Sequence, residues 1–273
     1  GKDYLKKLIK FDVIFRSPSC LPTTPELVAE EERGAIVTTE IELVIKMSPC
    51  KIIGITGSEG KTTTTTLISE IIKKSGKKCF LGGNIGIPLF TEIEKMRPQD
   101  IVVLELSSFQ LMGMEISPDI SIITNITPNH LNIHKDYQEY IDAKKNIFKY
   151  QNKEGILIIN SDNEITKTFE SEAPGKVILF SSKQKLDNGY IFDNSIIKES
   201  KEGIRQHILN TKEIKIRGIH NYENIMAALA ATKDIVDVES STEAIKNFPG
   251  VHHRLELVND ENEIKWYNDS AAT

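Results

Sequence analysis

Short apolar runs alternate with longer amphipathic segments along most of this chain. The apolar runs, rich in β-branched residues, predict strands at 51–55, 78–81, 101–105, 120–124, 155–159 and 177–181. Apolar residues that recur at helical spacing predict helices at 62–75, 136–150, 163–171, 221–236 and 241–247. Such alternation is typical of βαβ units, so we predict an α/β fold with a doubly wound, mostly parallel sheet.

The pattern changes near both ends and in one internal segment. Residues 1–48 hold one strand-like run at Val13–Phe15, a proline-rich loop and one helix, which is too little to close a core. Residues 188–217 carry short β-like pieces and turn signals, which predict a small antiparallel insertion. We expect a central domain at 49–250, and a hairpin within 251–273 that opens a further domain. Terminal material is expected to be missing at both ends.

Composition narrows the classes of function. The chain has 273 residues and a formal net charge of -5, and its lysines are scattered rather than gathered in a stripe, which argues against a nucleic-acid partner. No apolar run approaches the roughly 20 residues that span a bilayer. The cysteines lack the spacing of a zinc site and the first residues lack a secretory signal. We therefore expect a cytoplasmic protein with free thiols. We also expect a monomer, although nothing in the composition bears on the oligomeric state.

A glycine-rich turn follows the strand at 51–55 and precedes a helix, which is the context that a phosphate-binding P-loop requires. Gly57 and Gly60 allow a tight turn that brings backbone N–H groups to face an anion. Ile55 replaces the first glycine of the common motif, and a capped turn without a ligand is the alternative. The expected nucleotide contacts are Gly57, Ser58, Glu59, Gly60, Lys61, Thr62 and Thr63. Among them, Lys61 would neutralise phosphate and Thr62 would bind Mg²⁺.

The sequence T-G-S-E-G-K-T-T at 56–63 resembles the signature of the Mur ligase and folylpolyglutamate synthetase superfamily. The block E-L-S-S-F-Q-L at 105–111 is similar to the one that distinguishes the D-glutamate-adding branch of that family. Other blocks that fall in the family's order lie at 82–88, 124–130, 143–144, 218–224, 253–254 and 268–270. Three positions depart from the family pattern, namely Glu59, Asn129 and Ala271.

The resemblance implies an ATP-dependent ligase of peptidoglycan synthesis whose middle domain carries the P-loop. Its substrates would be UDP-N-acetylmuramoyl-L-alanine and D-glutamate, joined by an amide bond through an acyl phosphate, with ATP and two Mg²⁺ ions. We expect little ligation by this chain alone, because closure of a C-terminal domain completes such sites. The alternatives are another Mur-type ligase, a folylpolyglutamate synthetase, or a P-loop nucleotide-binding module without ligase activity.

Lys144 lies on the apolar face of its predicted helix, where desolvation disfavours the ammonium and a neutral amine can react with carbon dioxide. A lysine whose stem covers apolar surface is the alternative. The resemblance implies an N-carboxylated Lys144 that binds Mg²⁺. Glu105 ends a strand at the carboxyl edge of the predicted sheet, where such folds bind ligands. The residues expected to act in catalysis are Lys61, Glu105, His130 and Lys144, of which the last three would bind metal together with Thr62. The alternatives are a solvated acid at the strand end for Glu105 and a hydrogen-bonded structural histidine for His130.

The resemblance assigns further contacts. Asn221 and Asn224 would hold adenine, although Asn221 is also a candidate helix cap. Arg254 and Asp269 would reach the ATP phosphate and ribose, or form an ordinary surface pair. The residues expected to contact the UDP-sugar are Ser17, Asn84, Ser107 and Gln110. Each of them could instead stabilise a turn or cap a helix.

Overall fold

The computed structural model describes residues 4–129, 133–261 and 264–271. Its strands are β1 Val13–Phe15, β2 Ile36–Thr38, β3 Lys51–Thr56, β4 Cys79–Gly83, β5 Ile101–Glu105, β6 Ile120–Ile123, β7 Ile156–Asn160, β8 Lys176–Ser181, β9 Gly189–Asp193, β10 Ile196–Lys201, β11 Ile204–Asn210, β12 Glu256–Glu261 and β13 Ile264–Asn268. Its α-helices are α1 Pro25–Glu32, α2 Glu40–Met47, α3 Lys61–Lys74, α4 Ser108–Leu111, α5 Tyr137–Lys149, α6 Ile219–Thr232 and α7 Val238–Asn247. Short 3₁₀ segments lie at Tyr4–Lys10, Phe90–Lys95, Thr166–Ser171 and Thr211–Glu213.

The central sheet has the strand order β11-β10-β9-β8-β7-β6-β3-β5-β4. The strands from β4 to β9 pair in parallel, whereas β10 and β11 pair antiparallel. Strand β3 lies between β5 and β6. The chain first forms β4 and β5 on one side of β3 and then crosses to form β6, β7 and β8 on the other side. Ligands bind at such a reversal, outside the carboxyl ends of the strands.

Helices cover both faces of the sheet, and successive residues of β3 point to opposite faces. Ile53 belongs to a buried cluster that includes residues of α3, α6 and α7. Ile52 belongs to the other cluster, which includes residues of α2 and α5. Because both faces are buried there, the central strands β3, β5, β6 and β7 are mainly apolar. The predicted α/β fold with a doubly wound, mostly parallel sheet is confirmed, whereas its division at residues 48 and 250 stays a prediction.

Two local predictions were wrong. The segment 163–171 forms a short 3₁₀ segment at Thr166–Ser171 instead of a helix of that length. Its polar side chains bond to nearby backbone groups, since Asn163 Oδ1 accepts from Thr166 N at 3.0 Å, and this competes with helix formation. The N-terminal part holds two strands and two α-helices rather than one of each, with β2 pairing in parallel with β1.

The predicted antiparallel insertion exists as β9 to β11, and it is continuous with the main sheet. Phe180 of β8 pairs in parallel with Tyr190 of β9. Tyr190, Ile197 and Leu209 are buried in the same cluster as α3 and α6. Within the described residues, no helix combines the length and apolar character that crossing a bilayer requires.

Candidate functional site

The turn between β3 and α3 is held in a tight conformation by its glycines. Gly57 has φ +148°, and a Cβ there would lie 1.9 Å from Thr124 Oγ1. Gly60 precedes the first residue of α3 with φ +80°, and a Cβ there would lie 2.4 Å from Asn224 Oδ1. A side chain at either position would therefore force the neighbouring Thr124 or Asn224 side chain to move. The first N–H groups of α3 have no acceptor within the helix and point to this turn.

The segment after β6 fastens the outer part of the turn. Asn125 O accepts from Ser58 N at 2.9 Å, and Asn125 Oδ1 accepts from Glu59 N at 3.0 Å. Ser58 Oγ donates to Thr127 O at 2.9 Å and lies 2.9 Å from the Tyr140 hydroxyl. Ser58 N and Glu59 N are thus occupied by Asn125, whereas the backbone donors at Gly60 and at the start of α3 face the turn. The Glu59 side chain is exposed.

Lys61 folds back over the turn. Its Nζ donates to Gly57 O at 2.9 Å and to Ser58 O at 2.8 Å. Burial lowers the pKa of the Lys61 ammonium, and Arg254 adds to this, whereas Glu105 and Glu59 oppose it. A phosphate at this turn would offer the ammonium stronger, charged acceptors than two carbonyl groups do.

Lys144 meets the same turn from the opposite side. It lies on α5, its side chain is buried with 2% exposure, and its Nζ donates to Gly57 O at 2.9 Å and to Thr56 Oγ1 at 3.2 Å. The ring centroid of Tyr140 lies 4.8 Å from the same nitrogen. Burial and the neighbouring Lys61 hold the pKa of the Lys144 ammonium well below its ordinary value, although Glu105 opposes them. This lysine is therefore easily deprotonated.

Glu105 ends β5 with a buried carboxylate of 1% exposure. Its Oε1 accepts from Asn84 Nδ2 at 2.8 Å, while its buried Oε2 has no hydrogen-bond partner within the described part of the chain. An unpaired buried carboxylate oxygen is costly unless a cation or a donor approaches it. Glu105 thus fits a divalent cation. Across residues 4–129, 133–261 and 264–271, no three His, Cys, Asp or Glu side chains cluster as a metal site.

The other predicted metal ligands differ in position. Thr62 is the second residue of α3 and is half-buried. His130 lies outside the described residues. A cation beside Glu105 would accordingly need at least one further anionic ligand. Lys144 can supply one only if its amine is covalently modified to an anion.

The residues predicted to contact the UDP-sugar lie in different settings. Asn84 is beside Glu105, and its backbone N also donates to Glu105 O at 2.8 Å. Ser107 and Gln110 form a reciprocal capping box at the start of α4, which agrees with the alternative that these two residues cap a helix. Ser17 is exposed, and its Oγ lies 2.9 Å from Ser19 Oγ.

A cavity of about 1310 Å³ opens beside the P-loop. The predicted nucleotide contacts that line it are Glu59, Gly60, Thr63, Asn221, Asn224, Arg254 and Asp269. Helix α6 begins at Ile219 with Gly218 at its cap, so the capping alternative for Asn221 is wrong. The Asn221 amide instead donates to Arg217 O at 2.7 Å, and Asn224 Nδ2 lies 3.4 Å from Asn221 Oδ1. Asp269 Oδ1 accepts from Leu255 N at 3.1 Å.

A family model described as "Mur ligase middle domain" matches residues 55–232, which include the P-loop, Glu105, Lys144 and both asparagines of α6. The chain belongs to the Mur ligase family. Its relatives include the "UDP-N-acetylmuramoylalanine--D-glutamate ligase" of Clostridium kluyveri, which is 51% identical over 274 residues and matches 100% of this chain. The protein of the same name from Clostridium tetani is 48% identical over 275 residues. The chain spans 59% of the length of each of these relatives.

Solved Mur ligases share this fold. MurF from Acinetobacter baumannii matches with a TM-score of 0.63 at 15% identity, over 94% of this chain and 64% of that one. The UDP-N-acetylmuramate-alanine ligase MurC from Thermotoga maritima matches with a TM-score of 0.62 at 22% identity, over 94% and 60% of the two chains. At these identities the likeness concerns the fold alone.

Proposed function

We propose that this Mur ligase joins D-glutamate to UDP-N-acetylmuramoyl-L-alanine in an ATP-dependent step of peptidoglycan synthesis. About half of the residues are identical to those of relatives that carry the name of this reaction. The observation that carries the chemistry is the buried amine of Lys144, which shares the Gly57 carbonyl with the P-loop lysine. The amide would form after the γ-phosphoryl group of ATP passes to the alanine carboxylate and the D-glutamate amine displaces phosphate.

The P-loop of this chain would bind the phosphates of ATP. Lys61 would exchange its two carbonyl acceptors for phosphate oxygens, and the N–H groups at the start of α3 would face the same anion. Charge neutralisation of this kind is the main requirement of phosphoryl transfer. Asn221 and Asn224 would hold the adenine, with Arg254 and Asp269 at the phosphate and ribose.

Lys144 would act as an N-carboxylysine. The ammonium first releases a proton to solvent, and the neutral amine then adds to the carbon of carbon dioxide and releases a second proton, so that a cation becomes a carbamate anion. The change would replace repulsion between Lys144 and Lys61 by attraction. The carbamate would also supply the anionic ligand that Glu105 lacks nearby, and these two side chains with Thr62 and His130 would hold two Mg²⁺ ions. The bound Mg²⁺ would neutralise charge that develops on the transferring phosphoryl group.

The remaining assignments rest on the same proposal. Ser17, Asn84, Ser107 and Gln110 would lie along the UDP-sugar, although Asn84, Ser107 and Gln110 now hold protein groups and would have to exchange them. The enzyme would act in the cytoplasm, where its substrates are soluble nucleotides and an amino acid, and we propose that it acts as a monomer.

The carbamate is tested by NMR with ¹³C-bicarbonate on the wild type, Lys144→Ala and Lys145→Ala. Lys145 is the matched control, because it is the next residue on α5 and pairs at the surface with Glu172 at 2.8 Å. A carbamate signal should appear in the wild type and in Lys145→Ala and vanish in Lys144→Ala. An equal signal in all three proteins would refute carboxylation at Lys144.

The substrate assignment is tested with the protein extended to the length of its relatives, given ATP, Mg²⁺ and UDP-N-acetylmuramoyl-L-alanine. D-Glutamate should be the amino acid that yields an amide. Preference for another amino acid would favour a sister ligase, and growth of a glutamate chain on folate would favour a folylpolyglutamate synthetase. Nucleotide binding without amide formation would leave a P-loop binding module.

A further inference from the structure

Glu223 of α6 lies in the wall of the cavity that begins at the P-loop. Its Oε1 accepts from Ser182 Oγ at 2.5 Å, and its Oε2 accepts from Asn160 Nδ2 at 3.3 Å. In the described part of the chain no lysine, arginine or histidine forms an ion pair with it. A carboxylate oxygen can accept more than one hydrogen bond, so Glu223 retains acceptor capacity at the cavity.

The two donors to Glu223 are themselves fixed. Asn160 Oδ1 accepts from Asp162 N at 2.9 Å, which sets the amide so that its NH₂ group points to Glu223. Ser182 Oγ also lies 3.2 Å from Asp162 Oδ2, but Asp162 already accepts from Ser181 Oγ at 2.6 Å and from Ser182 N at 2.7 Å. The single hydroxyl proton of Ser182 is therefore available to Glu223, and the carboxylate is held in one orientation.

The position of Glu223 along the sheet indicates which part of a nucleotide it meets. Its partners lie at the carboxyl ends of β7 and β8, whereas the P-loop follows β3, and the strand order here is β8-β7-β6-β3. Strands are spaced by about 4.8 Å, so β8 lies about 14 Å from β3 along the sheet edge. A nucleoside triphosphate with its phosphates at the P-loop and its nucleoside extended along this edge would place its base near β7 and β8.

We infer that Glu223 is a specificity-determining residue that accepts a hydrogen bond from the exocyclic 6-amino group of adenine. A carboxylate is an acceptor only, and a 6-oxopurine would present a second acceptor to it and be rejected. The inference deepens the proposed ATP site and depends on it. It assigns to this carboxylate the choice between 6-aminopurine and 6-oxopurine nucleotides.

The test compares the affinities of ATP, ITP and purine riboside triphosphate, measured with Mg²⁺ by calorimetry, for the wild type and Glu223→Gln. ITP carries a 6-oxo group, and purine riboside triphosphate has no 6-substituent. The wild type should bind ATP at least about tenfold more tightly than ITP, as expected for one hydrogen bond to a charged group. In Glu223→Gln the ratio should fall towards one, because the glutamine amide can donate to the 6-oxo group.

Two controls separate this effect from a general disturbance. Glu213→Gln makes the same chemical change at the rim of the same cavity, where Glu213 pairs with Lys246 at 2.6 Å, and it should keep the wild-type ratio. Purine riboside triphosphate should bind the wild type and Glu223→Gln within about twofold of each other. Ser182→Ala, which removes one donor that orients the carboxylate, should give an intermediate ratio.

The outcomes distinguish the two proposals. Equal loss of ATP and ITP in Glu223→Gln would overturn the assignment to the 6-position, as would an unchanged ratio, while nucleotide binding itself would still support the P-loop site. Failure of every nucleotide to bind the wild type would instead refute the proposed ATP site.

Discussion

The Gly57 carbonyl oxygen accepts hydrogen bonds from two lysine side chains at the centre of the site. Both Lys61 Nζ and Lys144 Nζ lie 2.9 Å from it, so the two nitrogens are within twice that distance of each other. Two ammonium groups this close repel one another, and the more deeply buried one deprotonates more easily. Burial lowers the pKa of both ammonium groups, and repulsion from Lys61 helps to hold that of Lys144 well below its ordinary value.

We expect Lys144→Met to stabilise the protein near pH 7 in bicarbonate-free buffer. A buried ammonium costs desolvation free energy, and in other proteins the replacement of whole buried ion pairs by apolar side chains of similar volume has been neutral or stabilising by roughly 1 to 4 kcal/mol. The pKa of Lys144 is lower in the folded protein than its ordinary value of 10.5, so the unfolded chain binds more protons between the two values. The free energy of unfolding of the wild type therefore gains from rising pH throughout that window.

The difference between Lys144→Met and the wild type should accordingly shrink as pH rises from neutral towards 10. Urea unfolding across this pH range measures it. Lys145→Met should show no such pH-dependent gain, because Lys145 is paired at the surface. A difference that stays constant with pH would contradict the lowered pKa.

We expect Mg²⁺ with ATP to raise the melting temperature of the wild type more than that of Glu105→Gln. Ligands that bind only the folded state stabilise it, and the unpaired Oε2 of Glu105 is the buried acceptor on offer. An amide is a weaker cation ligand, while its oxygen can still accept from Asn84. Glu115→Gln, at an exposed position, is the control, and equal Mg²⁺ shifts in both variants would contradict the proposed role of Glu105 as a metal ligand.

Helix α5 is the element that places Lys144. Its N-terminus is capped by Asp136, whose Oδ1 accepts from Glu139 N at 2.8 Å. We expect Asp136→Ala to cost about 1 kcal/mol of stability, as loss of such a cap usually does, and also to reduce carbamate formation. Asp237 caps α7 in the same way and is the matched control, so Asp237→Ala should destabilise the protein without altering the ¹³C signal. Equal carbamate signals would uncouple the cap from Lys144.

The elements that pattern predicts best are those buried on both faces. Strands β3 and β5 are continuous apolar runs, and the sequence predicts them within about one residue of their bounds. Strand β2 is short and carries only Ile36–Thr38, so no run distinguished it, and its pairing with β1 depends on a contact between distant residues. The 163–171 segment failed because its amphipathic spacing was outweighed by side-chain bonds to the backbone.

The parts of the site that lie within a recognisable sequence motif could be predicted. The P-loop, Glu105 and Lys144 follow from local sequence and from the family resemblance, although their roles stay predictions. Asn125 and Tyr140, which fasten the P-loop, were not expected as site residues because their partners are more than 60 residues away in sequence. Tyr140 precedes Lys144 by one helical turn, and this spacing was the available signal.

The whole central sheet should unfold as one unit that includes the antiparallel strands. Ile197 of β10 is fully buried in the cluster that contains α3 and α6. We expect Ile197→Ala to lower the free energy of unfolding by about 2 to 5 kcal/mol and to speed hydrogen exchange in β3 as well as in β9 to β11. Ile204→Ala, at an exposed position of β11, should leave exchange in β3 unchanged. Faster exchange confined to β9–β11 would show that the insertion is a separate cooperative unit.

The place of β3 between β5 and β6 also bears on synthesis of the chain. Ile53 pairs with Val103 on one side and with Ile120 on the other, and both partners are made long after it. At about 5–20 residues per second, a ribosome needs roughly 3 to 14 seconds to make the intervening segment. Until then β3, whose residues 52–56 are all buried in the folded protein, lacks its partner on at least one side. We therefore expect the nascent chain to need shielding by a chaperone until β6 emerges.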